Sequence, residues 1–213
     1  DENKAEEYFK RAEIIDGNYT EFLHNKAEFL ILKNQLQEAE KILENNKGIT
    51  KFLITLIRLY FNSGQSNKGN ELLNQSREIL KNNSDFYNYL GIRYLYEGNF
   101  DEGWKYYEFR KSKLSNFFKN IDEWNGANIN NKSIVVYNEQ GLGDSIQFSK
   151  YLIPLSKVSN KITFVVQENI KNLFKDLKNI NIKTYDECKN QTFDFKISLG
   201  SLIKFFYKED INL

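Results

Sequence analysis

The 213-residue sequence predicts an α-α superhelix of two-helix repeats followed by part of an α/β domain with a parallel sheet. Small and aromatic residues recur with a period of about 34 residues through the first half of the chain. From Ser133 onward, short β-rich runs alternate with amphipathic stretches. An Asn-rich segment full of turn formers lies between the two patterns. The expected divisions are a solenoid over 1–117, with a partial repeat at 1–19 and repeats near 20–49, 50–83 and 84–117. A linker then covers 118–132 and the α/β region 133–213.

The period is plainest from Ser84. Tyr87, Leu90, Gly91 and Tyr94 are followed by Gly98, Phe100, Gly103 and Tyr107, and one period earlier stand Leu56, Tyr60, Gly64, Gly69 and Leu73. Ala39 with Leu43, and Ala5 with Phe9 and Ala12, occupy the small-then-large positions of two earlier second helices. The pattern resembles the tetratricopeptide repeat (TPR). A helix pair cannot bury its apolar face alone, and small residues such as Ala39, Gly69 and Gly103 let stacked helices approach closely. Gly64 and Gly98 are expected at the turns between paired helices, where positive φ costs glycine little. The step from Ala39 to Gly69 is about four residues short of the period, which predicts a tightened turn near Asn45 to Gly48.

The TPR resemblance implies a groove, lined by the first helix of each pair, that holds an extended peptide or a partner protein. Repeat position assigns to it Glu21, His24 and Glu28, then Lys51, Ile54, Arg58 and Asn62, then Asp85, Asn88, Ile92 and Tyr96. Their mixed charges describe an ordinary solvated face equally well. His24, the sole histidine, sits mid-helix without a nucleophile nearby. A metal site needs several convergent ligands, so no metal role is assigned to it.

The later region reads as strands at SIVVYN (133–138), ITFVV (162–166), INIKT (180–184) and FDFKIS (193–198), with helical stretches at Ser145 to Leu155 and Glu168 to Leu177. Alternation of this kind predicts parallel strands joined by crossover helices. The turn after the first strand carries Glu139, Gln140, Gly141, Leu142, Gly143, Asp144 and Ser145. Glycines at a strand-to-helix turn let backbone N–H groups face an anion. The turn is not a dinucleotide fingerprint, because the third glycine would fall at Ile146, and a P-loop is excluded by the lack of a GK[ST] sequence. Asp144 followed by Gln147 also fits a capping box, with Asp144 as the N-cap.

The segment resembles the EQGLGDxIQFxRY stretch of bacterial proteins in which tetratricopeptide repeats precede a glycosyltransferase-like domain related to heptosyltransferases and O-GlcNAc transferases. The match extends upstream to an EGWxxYExR stretch, here Glu102, Gly103, Trp104, Tyr107, Glu108 and Arg110, and to a WxG, here Trp124, Asn125 and Gly126. Lys150 stands where the family has Arg, which keeps the charge and loses the planar fork. The resemblance implies the N-terminal, Rossmann-like domain of a GT-B fold that needs no metal or other cofactor. It makes Asp144 the general base of an inverting transfer and places Glu139, Gln140, Gly141, Gly143, Ser145, Gln147 and Lys150 about the substrate. The implied partners are a protein acceptor in the groove and, in the full-length parent, a nucleotide-sugar donor. A scaffold with a degenerate, inactive transferase region is the alternative. Trp104 and Trp124 are expected as packing residues.

Composition narrows the rest. Lys and Arg total 30 against 29 Asp and Glu, a net charge of +1, which lacks the basic excess of a nucleic-acid binder. A single cysteine, Cys188, excludes an internal disulfide and a Cys-rich zinc site, and a reducing, cytoplasmic setting is expected. No apolar run reaches the roughly 18 residues of a membrane span. With no Met, the sequence reads as a processed chain or a segment of a longer one. It opens inside a second helix and stops before the sheet is complete, so the segment alone is expected to lack transferase activity.

Overall fold

A computed structural model describes residues 2–110 and 118–209. The expected end of the third repeat at 111–117, including Phe117, lies outside the described residues, as do the two chain ends at 1 and 210–213. The chain forms two compact units, Asp1–Phe86 and Tyr87–Leu213, and the division falls inside one helix.

The first unit is made of helices α1 (Glu2–Asp16), α2 (Thr20–Leu32), α3 (Leu36–Asn45), α4 (Thr50–Asn62) and α5 (Ser66–Leu80), and ends in the first turn of α6 (Ser84–Tyr96). Its core joins Ala27 and Leu30 of α2, Ala39 and Leu43 of α3, and Phe52, Leu56, Leu59 and Tyr60 of α4. Helix α4 is apolar on nearly every side and buried accordingly, with helices packed on more than one of its faces.

The turns inside the pairs repeat in detail. Asn34 and Gly64 each take positive φ, 59° and 77°. In both turns the next residue donates its N–H five residues back, Gln35 to Leu30 O and Gln65 to Tyr60 O, each at 2.8 Å. The same arrangement closes α6 in the second unit, where Gly98 has φ 79° and Asn99 N–H donates to Tyr94 O at 2.8 Å. This is a Schellman closure, which satisfies carbonyls that the helix end would otherwise orphan. Asn34 was not predicted at such a position, although Asn is the residue after Gly that best tolerates it. The short first period also has a different origin from the one expected. Helix α3 has 10 residues where α5 has 15, while the connection after α3 is a residue longer than the one after α5. Shortening the helix, and not the turn, absorbs the deficit.

The second unit holds the rest of α6, helix α7 (Phe100–Tyr107) and an α/β region. Helices α6 and α7 approach closely at Gly91, where a Cβ would lie 2.5 Å from Tyr107 N and 2.8 Å from Tyr106 C. The strands are β1 (Asp122–Glu123), β2 (Ser133–Tyr137), β3 (Lys161–Val165), β4 (Ile180–Lys183) and β5 (Phe195–Ser198). All pair in parallel, in the order β1-β5-β2-β3-β4. Between the strands run α8 (Leu142–Phe148), α9 (Leu152–Val158) and α10 (Tyr185–Cys188), and α11 (Ile203–Phe206) follows β5.

Alternate residues of β2 serve the two faces. Ile134 and Val136 face a core with Phe148, Leu152, Leu155 and Leu202, whereas Val135 and Tyr137 face Phe118 and Cys188. Both faces are covered, as a parallel sheet requires. Burial raises the pKa of the Cys188 thiol.

Three local expectations change. Part of 118–132, expected as a linker, supplies edge strand β1, and Trp124 N–H donates to Lys196 O at 2.9 Å. Glu168–Phe174 is 3-10 and not α-helical. The helix expected over Ser145 to Leu155 starts earlier, at Leu142, and is interrupted by a 3-10 turn at Ser149–Tyr151. Pro154 has no N–H with which to continue an α-helical ladder through that turn. Trp124 is 2% exposed and packs on Phe205 and Phe206, a packing role. Among the described residues no helix is long and apolar enough to cross a membrane.

Two consequences are testable. Gly91→Ala forces a side chain into the α7 backbone and should destabilise the second unit by about 1–3 kcal/mol, read as a lower denaturation midpoint; an unchanged midpoint would show that the helices part freely. Asp194 accepts from Ser133 N–H (2.8 Å), Ser133 Oγ (2.8 Å) and Lys132 Nζ (3.0 Å), tying the start of β2 to the residue before β5. These bonds, the Ser133 backbone N–H foremost, hold its pKa down to about 2. A depressed carboxylate stabilises the fold above its unfolded pKa of about 3.9, and that stability is lost as pH falls toward the folded value. Acid titration of stability between roughly pH 4 and 2 should therefore show a slope that Asp194→Asn reduces.

Candidate functional site

A parallel sheet presents the carboxyl ends of all its strands at one edge, and a crevice opens there where successive connections leave in opposite directions. Here that place lies between β2 and β5, since β3 and β4 extend the sheet on one side of β2 and β5 and β1 on the other. Two segments border it, 138–141 after β2 and Leu199–Ser201 after β5.

Arg110, just beyond α7, bridges the two. Its Nε and Nη2 donate to Glu139 Oε1 at 3.0 and 2.7 Å, and Nη2 also reaches Ser198 Oγ (3.0 Å) and Ser201 Oγ (2.9 Å). Nη1 donates to Glu108 Oε1 (2.9 Å) and to Tyr107 O (3.1 Å), and the guanidinium lies 4.6 Å from the Tyr107 ring centroid. The pair is buried, with side-chain exposures of 8% for Arg110 and 2% for Glu139. Burial disfavours the charge on Arg110, but Glu139 and Glu108 outweigh it and raise its pKa. Burial likewise pushes the Glu108 pKa up. Lys204 Nζ (2.6 Å), Arg110 and Ser201 Oγ (2.8 Å) pull it below the ordinary value. Gly200 makes room for the cluster, because a Cβ there would lie 2.8 Å from both Arg110 Nη2 and Glu139 Oε1.

The loop after β2 is fixed residue by residue. Asn138 is buried, its Oδ1 accepts from Gln140 N–H (3.1 Å), and its backbone O accepts from the Tyr185 hydroxyl. Among the described residues its Nδ2 is buried without a partner. Gln140 Nε2 donates to the Tyr107 hydroxyl at 2.9 Å, and burial raises the pKa of that hydroxyl. Gly141 is the N-cap of α8, and Asp144, expected as the cap, is instead its third residue. Asp144 Oδ2 accepts from Gly141 N–H at 3.1 Å, so the capping box has only its carboxylate half, glycine having no side chain for the other. Gln147 is exposed and Asp144 half-buried.

The remaining predicted loop residues separate into open and closed positions. Gly143 has open space where a Cβ would stand. Ser145 is fully buried and its Oγ donates to Gly141 O at 3.0 Å, inside the helix start. Lys150 Nζ lies 5.2 Å from the Tyr151 ring centroid. The arrangement presents one partly exposed carboxylate, anchored by a backbone N–H, beside a glycine that permits close approach. In the sequence Arg110 and Glu108 stand out only as letters of the EGWxxYExR stretch, and Ser198, Gly200 and Ser201 belong to no motif. Their position at the carboxyl end of a strand was the available signal.

In the first unit two pairs of predicted groove residues bond to each other, and Thr55 joins two groove residues from the same helix as Arg58. Lys51 Nζ donates to Glu21 Oε1 (2.7 Å), Arg58 Nη1 to Glu28 Oε1 (3.3 Å) and Thr55 Oγ1 to Glu28 Oε1 (3.1 Å). His24 Nε2 lies 3.0 Å from Thr55 Oγ1, and burial lowers its pKa. Asn62 and Asp85 are exposed, whereas Ile54 is only 9% exposed because α4 is covered by its neighbours. In the second unit Ile92 and Tyr96 are exposed and Asn88 is half-buried.

Truncating one partner of a buried ion pair strands the other charge, at a cost of about 3–5 kcal/mol. Arg110→Ala should lower the stability of the second unit by that order, followed by tryptophan fluorescence because both tryptophans lie there. A loss below about 1 kcal/mol, the scale of an exposed pair, would contradict the burial described.

No protein-family model matches the chain, and no curated protein matches it.

Proposed function

We propose that this chain belongs to a tetratricopeptide-repeat glycosyltransferase that moves a sugar from an activated donor to a hydroxyl of an acceptor, a protein held by the repeats. The α/β region is then the Rossmann-like, acceptor-side domain of a GT-B fold. The observation that carries this reading is the loop after β2. Its anchored carboxylate, Asp144, stands at the carboxyl edge of a parallel sheet beside the place where the strand order reverses. The two motif segments that suggested the family also meet there, through Arg110 with Glu139 and Tyr107 with Gln140.

In the proposed reaction Asp144 takes the acceptor hydroxyl proton as that oxygen attacks the anomeric carbon. The bond to the donor's leaving group breaks with its electron pair, and the configuration inverts. Among the described residues Asp144 Oδ1 accepts no hydrogen bond, which leaves that oxygen for the proton. Gly141, Gly143, Gln147 and Lys150 would border the acceptor. Glu139 and Ser145 act from behind, Glu139 through Arg110 and Ser145 through the Gly141 carbonyl.

The scaffold reading has one observation in its favour, that Glu139 and Gln140 are both already engaged inside the protein. A transfer assay on the full-length protein distinguishes the two. Asp144→Asn should lower kcat by about 100-fold or more, the scale of a lost general base, with folding intact. Equal turnover by wild type and variant would remove Asp144 from the mechanism, and absence of turnover in both would favour the scaffold.

A further inference from the structure

A second cleft, of about 490 Å3, opens in the α/β unit between residues of α7 and the segment that includes α11, and no residue of the 139–145 loop lines it. Three of its lining side chains are aromatic, Trp104, Phe205 and Tyr207. Its rim is charged, and each lysine that lines it is paired, Lys105 with a carboxylate outside the lining. Lys204 pairs with Glu108 (2.6 Å), Lys208 with Asp101 (2.7 Å) and Lys105 with Glu102 (3.3 Å), and the Tyr207 hydroxyl donates to Asp101.

The charge balance selects the ligand. A phosphate or sulfate would have to draw the ammonium groups away from carboxylates that already neutralise them, and would meet those carboxylates as like charges. A wholly apolar ligand would leave unused the protons and lone pairs that the paired rim groups still offer. What fits is a neutral molecule that offers apolar C–H faces to the rings and many hydroxyls to a rim where each ammonium keeps spare protons and each carboxylate spare lone pairs. We propose that this cleft is a binding site for neutral saccharides, separate from the Asp144 loop. It does not depend on the transfer reaction, because binding is read without turnover.

The test is titration of the 15N-labelled chain with maltohexaose, cellohexaose and N-acetylchitohexaose, with heparin hexasaccharide and inorganic phosphate as charged probes. At least one neutral hexasaccharide should shift the Trp104 indole N–H signal. The Trp124 indole N–H, buried and donating to Ala127 O at 2.8 Å, should stay in place as an internal control. Tyr207→Ala should weaken binding by about tenfold, a scale typical of a binding hot spot. Should that variant fail to fold, Lys208→Ala, on a largely exposed side chain, should weaken it by several-fold in its place. No shift with any neutral probe at about 10 mM, weaker than any useful affinity, would overturn the proposal. So would shifts caused by the charged probes alone, or neutral binding that leaves Trp104 unmoved.

Discussion

Arg110 and Glu139 form a buried ion pair, and the second unit is arranged to keep both charges satisfied. Neither can be withdrawn from water without partners, so Ser198, Ser201 and Glu108 all turn toward the guanidinium. The pair thereby ties the residue after α7, the loop after β2 and the turn after β5 to a single point. Gly200 follows from the same constraint, since any side chain there would collide with both charged groups. It also joins the end of Tyr87–Arg110, repeat-like in sequence, to the sheet within one compact unit.

A loop fixed in this way suits the proposed chemistry. Gln140 is held by Tyr107, Glu139 by Arg110, and Gly141 by the carboxylate of Asp144. A base gains from such support because its proton acceptor must stay within hydrogen-bond reach of the substrate. The proposed saccharide cleft is coupled to the same network through Glu108, which bonds Arg110 and Ser201 with one oxygen and Lys204 with the other.

Much of the fold was legible because it rests on local signals. Gly64 and Gly98 marked two helix turns, and the β-rich runs at 133–138, 162–166, 180–184 and 193–198 each overlap an observed strand. Asn34 escaped because Asn is common elsewhere, and its role shows only once its positive φ is seen. Strand β1 escaped because two residues carry no periodicity, and its existence depends on pairing with β5, distant in sequence. In the candidate site the loop itself was readable as a Gly-rich strand-to-helix turn. The surroundings of its acids were not, since burial against Arg110 for Glu139 and partial exposure for Asp144 depend on residues distant in sequence.

The sequence by itself determined the two periodicities, the helix closures that need Gly or Asn, and the position of a glycine-bearing loop after the first long strand, because each follows from backbone preferences within a few residues. Tertiary structure decided which carboxylate is buried against Arg110 and which stays partly exposed, which serines line the crevice, and that Asp144 is a third helical residue and not a cap. These choices depend on burial and on partners brought from far along the chain, 91 positions for Arg110 and Ser201 and 93 for Glu108 and Ser201, and no local pattern encodes such a distance.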